Sequence, residues 1–225
     1  MNNKVLILFP MDATTDFLEE VTSYLSANVN SSQFSLVRIE ANDEAHEKAL
    51  KKAAEAGNEL VLFLGHGSFS ALYGSEKDGY NNEDFITLRK FQVFRKKRVI
   101  LVSCESRKLL KKAKAAGYSE AVGFGDLPTD PRDIGSAREL DVNAYKGLSD
   151  ELVEKFKNAL VEIIKYSLTD FINNALSLSQ FCDLIILRTN KRIARYYTSD
   201  RVANAPLSNA LLRMKEEVLF IKNNS

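Results

Sequence analysis

The sequence predicts an α/β fold with a mostly parallel central sheet and helices on both of its faces. Three observations carry that expectation. Short β-rich runs alternate with amphipathic helical stretches up to residue 126, which is the pattern of βαβ units. Those runs are apolar at consecutive positions, as strands covered on both faces are. The segments between them are long enough for parallel crossovers.

In chain order, "KVLILFP" (4–10) reads as the first strand, followed by a helix face spaced by Phe17, Leu18, Val21, Tyr24 and Leu25. "FSLVRIEA" (34–41) is the second strand, and 43–56 a helix capped by Asp43 and stopped at Gly57. "ELVLFLG" (59–65) is the third strand. A polar hairpin-like insertion around Asp78-Gly79 precedes the fourth strand, "RVILVSC" (98–104). A helix over 106–117 then leads to the strand-like "EAVGFGD" (120–126). Residues 127–148, with two prolines and two glycines, read as a long loop. From 149 to 225 the pattern is mainly helical. Ser149 caps a helix with Asp150 and Glu151 in its first turn, 181–197 is either one buried helix or contains a short strand at 184–187, and 206–222 is a closing amphipathic helix.

Composition limits what such a fold does. The chain of 225 residues is long enough for one sizeable core and is expected to form a single domain over 1–225. Its net charge of +1 implies no general field for nucleic acid or a membrane surface. The basic runs at Arg95–Arg98 and Lys108–Lys114 read as solvated faces. Two cysteines, Cys104 and Cys182, are too few for a disulfide framework and lack paired zinc-site spacing. The first residues make a poor secretory signal, and no apolar run approaches the roughly 20 residues of a membrane span. The expected location is the cytoplasm.

The informative residues stand at strand ends. "LVLFLGHGS" finishes an apolar strand on His66, held between Gly65 and Gly67, in a chain with only two histidines. "RVILVSCESRKLL" finishes the next on Cys104, just before a helix. In open sheets, chemistry gathers beyond the carboxyl ends of strands. The separation, 104 − 66 = 38 residues, lets a crossover make the two strands neighbours. Each residue alone is more simply structural: a strand-end cysteine is usually a small core residue. Together they form a nucleophile and a general acid/base. The backbone N–H groups of Gly67 and Cys104 would then form an oxyanion hole.

These two segments, with "AAGYSEAVGFGD" (115–126) after them, resemble the signature segments of caspase-like cysteine peptidases, most closely the CHAT branch. The resemblance covers residues 59 to 126, with compatible alternation from residue 4. It implies a caspase-like three-layer sandwich, a Cys104–His66 dyad, an acyl-enzyme on a peptide carbonyl, and no metal or cofactor. It also implies a protein or peptide substrate and control by a partner or by cleavage, as in bacterial defence systems. The family strand after the cysteine helix often carries a tryptophan, and this chain has none.

Asp126, at the end of that strand, is the candidate acid for a basic residue before the cut; the plainer reading is a cap for the turn "DLPTDP". The loop 127–148 is expected either to border the substrate groove and be processed, with Arg132 and Arg138 as candidate cut points, or to be an ordinary linker to the C-terminal helices. Other chemistries fail on spacing. Gly65-His66-Gly67 lacks the third glycine of a dinucleotide loop, since Ser70 stands there, and no phosphate loop or GxSxG elbow is present. His46, beside Glu44 and Glu47, reads as solvated, and Cys182 as core. The alternative to a peptidase is a catalytically silent scaffold or binding subunit of the same fold.

Overall fold

The structure, a computed structural model, describes residues 4–57 and 59–223. In chain order it contains β1 (Val5–Pro10), α1 (Glu19–Asn28), β2 (Phe34–Ile39), α2 (Asp43–Ala54) and β3 (Leu60–Leu64). Four short strands follow: β4 (Ala71–Leu72), β5 (Glu76–Lys77), β6 (Tyr80–Asn81) and β7 (Ile86–Thr87). Then come β8 (Arg98–Val102), α3 (Ser106–Lys112), β9 (Glu120–Gly123), α4 (Pro131–Leu140), α5 (Asp150–Asn173), α6 (Leu178–Ser199), α7 (Ala205–Glu217) and β10 (Leu219–Lys222).

Six strands form the central sheet in the order β10-β9-β8-β3-β1-β2, parallel except for β10. This is the expected α/β architecture. Period-two alternation sorts its side chains into two cores. Val5, Ile7, Phe9, Leu60, Leu62, Leu64, Ile100 and Val102 join one core with α1, α5, α6 and α7. Leu6, Leu8, Val61, Phe63, Val99 and Leu101 join the other with α2 and α3. The two faces follow from handedness: the chain steps outward from β1 to β2, then returns past β1 to β3. Right-handed crossovers in opposite directions place their helices on opposite faces.

Several boundaries differ from expectation. The cap of α2 is Asn42, whose side chain accepts from Ala45 N–H at 2.8 Å, one residue before Asp43. Residues 127–148 are not one loop, since α4 lies within them and Leu127, Ile134, Ala144, Tyr145 and Leu148 are buried. Residues 181–197 lie wholly within α6, started by a capping box of Ser177 and Gln180. The closing helix ends at Glu217, and β10 pairs antiparallel with β9, Leu219 opposite Gly123 and Ile221 opposite Ala121. Periodicity missed this strand because four residues after a helix are too few to show a change of period.

The C-terminal helices are held mainly by burial. Ser149 caps α5 as expected, accepting from Leu152 N–H. Phe156, Leu160, Ile164, Leu168 and Phe171 run down one face of α5 and are essentially inaccessible. Each contributes about 1.5–3 kcal/mol on removal from water. Among the described residues, no helix is long and apolar enough to cross a membrane.

Candidate active site

The last residues of β3 and β8 pair Leu64 with Val102. The ladder continues through Gly65 N–H to Val102 O at 3.2 Å. Two residues past these neighbouring strand ends stand His66 and Cys104. The strand order reverses direction between β1 and β3, and such a switch point opens a crevice at the carboxyl ends. His66 lies on that crevice, with the end of β1 on one side and the end of β8 on the other.

The β1 side supplies a device that the sequence reading missed. Thr14 Oγ1 donates to Asp12 Oδ1 at 2.7 Å, and Thr14 N–H donates to the same oxygen at 2.8 Å. Thr14 Oγ1 also lies 2.5 Å from His66 Nε2. A hydroxyl has one proton, and Asp12 takes it, so Nε2–H is the donor to Thr14. This fixes the neutral tautomer and leaves Nδ1 as the basic nitrogen. Asp12, 8% exposed, also places Oδ2 4.0 Å from Nε2. "MDATTD" carried only a weak signal: a short acid and a hydroxyl one turn past a strand whose neighbour was unknown.

On the β8 side the chain turns sharply. Glu105 has φ 55°, a left-handed conformation that costs a residue with a Cβ on the order of 1 kcal/mol. Ser106, fully buried, holds the turn: its hydroxyl accepts from Phe124 N–H at 2.8 Å and lies 2.8 Å from Ser103 O. Cys104 is half-buried at the tip, and its thiol donates to Leu127 O at 3.2 Å. Among the described residues no hydrogen bond joins this thiol to His66. The thiol is thus turned toward the chain after β9 rather than toward the start of α3, a helix of only seven residues that begins at Ser106.

Gly67 brings the two strand ends together. A Cβ there would stand 3.0 Å from Ser103 Oγ and 3.2 Å from Ala71 O. Its bridge to Leu72 is framed by Tyr73 N–H to His66 O and Ser68 N–H to Ala71 O. Neither bond uses the Gly67 N–H, which has no partner among the described residues.

Asp126 does not simply cap a turn. Its carboxylate accepts from Arg213 of α7 at 2.9 Å, and its N–H donates to Glu217 Oε2 at 3.1 Å. Glu217 also pairs with Arg107 at 2.9 Å. The Glu105 carboxyl meets Asp126 as well, and burial, followed by that hydrogen bond, raises its pKa. Tyr145 completes the group. Burial, followed by the charge of Asp126, pushes its hydroxyl far above the usual range, and Arg213, Glu217 and Cys104 also face it. Arg213 and Tyr145 were not legible in the sequence because no local pattern marks them, and the Arg213–Asp126 contact spans 87 positions.

His46 is buried, not solvated: Nδ1 donates to Asn42 O at 2.6 Å, and Nε2 accepts from Ser75 N–H at 3.0 Å. Cys182 is a core residue, and burial, helped by Asp183, raises its thiol to about 11. Arg138 lies in α4 and donates to Ala144 O and Tyr145 O, so helical backbone surrounds the bond after it. The Arg132 side chain lies outside the described residues. No protein-family model matches the chain, and no curated protein is significantly similar to it in sequence.

Proposed function

We propose that the chain is a cysteine endopeptidase of the caspase-like, CHAT-type group, controlled by a partner protein or by cleavage. The observation that supports this most is that His66 and Cys104 each follow by two residues the ends of adjacent parallel strands, with His66 oriented by Thr14 and Asp12. Nucleophile, base and orienting group thus come from three neighbouring strands.

In the reaction, Cys104 Sγ gives its proton to His66 Nδ1 and attacks the peptide carbonyl carbon. The oxyanion forms opposite the N–H groups of Gly67 and Cys104. The C–N bond then breaks, His66 returns the proton to the leaving amine, and a thioester remains. Water, deprotonated by His66, hydrolyses the thioester and restores the thiol. Asp12, through Thr14, stabilises the imidazolium at both stages. Asp126 meets the side chain before the cut. The thiol must first leave Leu127 O, because a carbonyl acceptor favours the thiol over the thiolate. A resting enzyme that awaits a partner has this property.

The same Leu127 bond favours the second reading, a silent subunit in which Cys104 is simply packed. Digestion of a mixed peptide library with and without candidate partners tests the two. The peptidase reading expects cleavage that disappears in Cys104→Ala and in His66→Ala. Cleavage that survives in Cys104→Ala contradicts it.

A further inference from the structure

Arg213 is poorly satisfied where it sits. Its guanidinium reaches Asp126 at 2.9 Å and lies over the Tyr145 ring at 5.1 Å, yet Nε is buried without a hydrogen-bond partner, 3.9 Å from Glu217. The Tyr145 hydroxyl is also buried without a partner, in a residue only 9% exposed. Orphaned polar atoms of this kind are rare in native structures. Here two occupy one site beside Cys104, and Tyr145 itself is held at φ 52°, a conformation unfavourable for a bulky residue. A carboxylate below an aromatic face is the chemistry that holds a guanidinium.

We propose that Asp126 and Tyr145 form the pocket for an arginine or lysine side chain before the cut, and that Arg213 of α7 occupies it in the resting protein. The substrate-binding role rests on the peptidase reading of Cys104; the displaceable cation does not. Arg213 is about one-third exposed and Asp126 one-quarter, so both open to solvent and the swap needs only a side-chain rotation. The apolar anchors of α7, Leu207, Leu211 and Met214, stay buried throughout. In the swap no bond forms or breaks; one cation replaces another on Asp126.

The test uses N-acetyl-arginine methylamide as probe and its citrulline analogue as the neutral control, in full-length Cys104→Ala protein, so that binding is read without chemistry. Arg213→Met and Arg213→Gln should each bind the arginine probe about tenfold more tightly than the Arg213 parent, equivalent to one restored charged contact. Adding Asp126→Asn should abolish the gain, and citrulline should show none. Cooperatively melting Arg213 variants that bind no better than the parent overturn the proposal. Because both substitutions touch α7, the parent is also titrated to high probe concentration while the arginine Nε–H signals are followed by NMR. Movement of Arg213 but not Arg138 supports displacement, and no movement of Arg213 overturns it. A probe that binds as expected while Cys104 in the unmodified chain stays inert removes the peptidase reading and keeps the pocket. A reactive Cys104 with no gain in the variants does the reverse.

Discussion

At the scale of single residues, the proposed chemistry turns on which nitrogen of His66 carries the proton. Because the Thr14 hydroxyl donates to Asp12, it can only accept from Nε2–H, and Nδ1 is the nitrogen left without a proton. Thr14→Val removes that acceptor while keeping shape. It should lower kcat/KM by about 10- to 100-fold through kcat, with the melting temperature little changed. Asp12→Asn should act in the same direction. The two cysteines differ for a stated reason. Burial holds the Cys182 thiol at about 11, whereas an unfolded thiol titrates near about 8.5. The folded value is the higher one, so the stability Cys182 contributes is complete below the unfolded value and is lost as pH rises toward the folded one. Urea midpoints measured across that window should fall less in Cys182→Ala than in the parent. The strand-end placement of His66 and Cys104 was legible in the sequence because glycine and turn context mark it locally. Thr14, Tyr145 and Arg213 were not, because their roles come from long-range contacts.

At the scale of elements, the five parallel strands of the sheet were readable because each is a short apolar run bounded by turn residues. The hairpin at Asp78-Gly79 was readable because both residues adopt positive φ, at 51° and 84°, as a tight two-residue turn demands. What escaped was tertiary override. α4 forms in a stretch rich in proline and glycine, and β10 forms because β9 offers it an open edge. The fit of α3 against β9 is close: a Cβ on Gly123 would lie 2.7 Å from Leu110 Cδ1 and 3.0 Å from Arg107 N. Gly123→Ala should therefore destabilise the fold by about 1–3 kcal/mol, by pressing on backbone that cannot move aside. It should also shift the Cys104 turn, since α3 begins there. Chemical denaturation measures the first effect. Ser149→Ala, which only removes the α5 cap, should cost about 1 kcal/mol and leave activity intact.

At the scale of the whole molecule, the sheet order is what gathers the candidate site. The reversal between β1 and β3 gathers the ends of β1, β3 and β8, and with them Asp12, Thr14, His66 and Cys104, on one rim. The C-terminal helices then close over the chain after β9, bringing Arg213 and Glu217 to Asp126. A general α/β layout follows from alternation alone. The resting geometry of the thiol does not, since it depends on where Leu127 places its carbonyl. The most direct measurement is the labelling rate of Cys104 by a peptide electrophile in native protein, with and without candidate partners, mapped by mass spectrometry. The predicted result is fast labelling of Cys104 in native protein once a partner has freed the thiol from Leu127 O, lost on unfolding and in His66→Ala, with Cys182 untouched. Labelling of Cys104 that is equally slow in native and unfolded protein under every condition, and indifferent to His66, would contradict it.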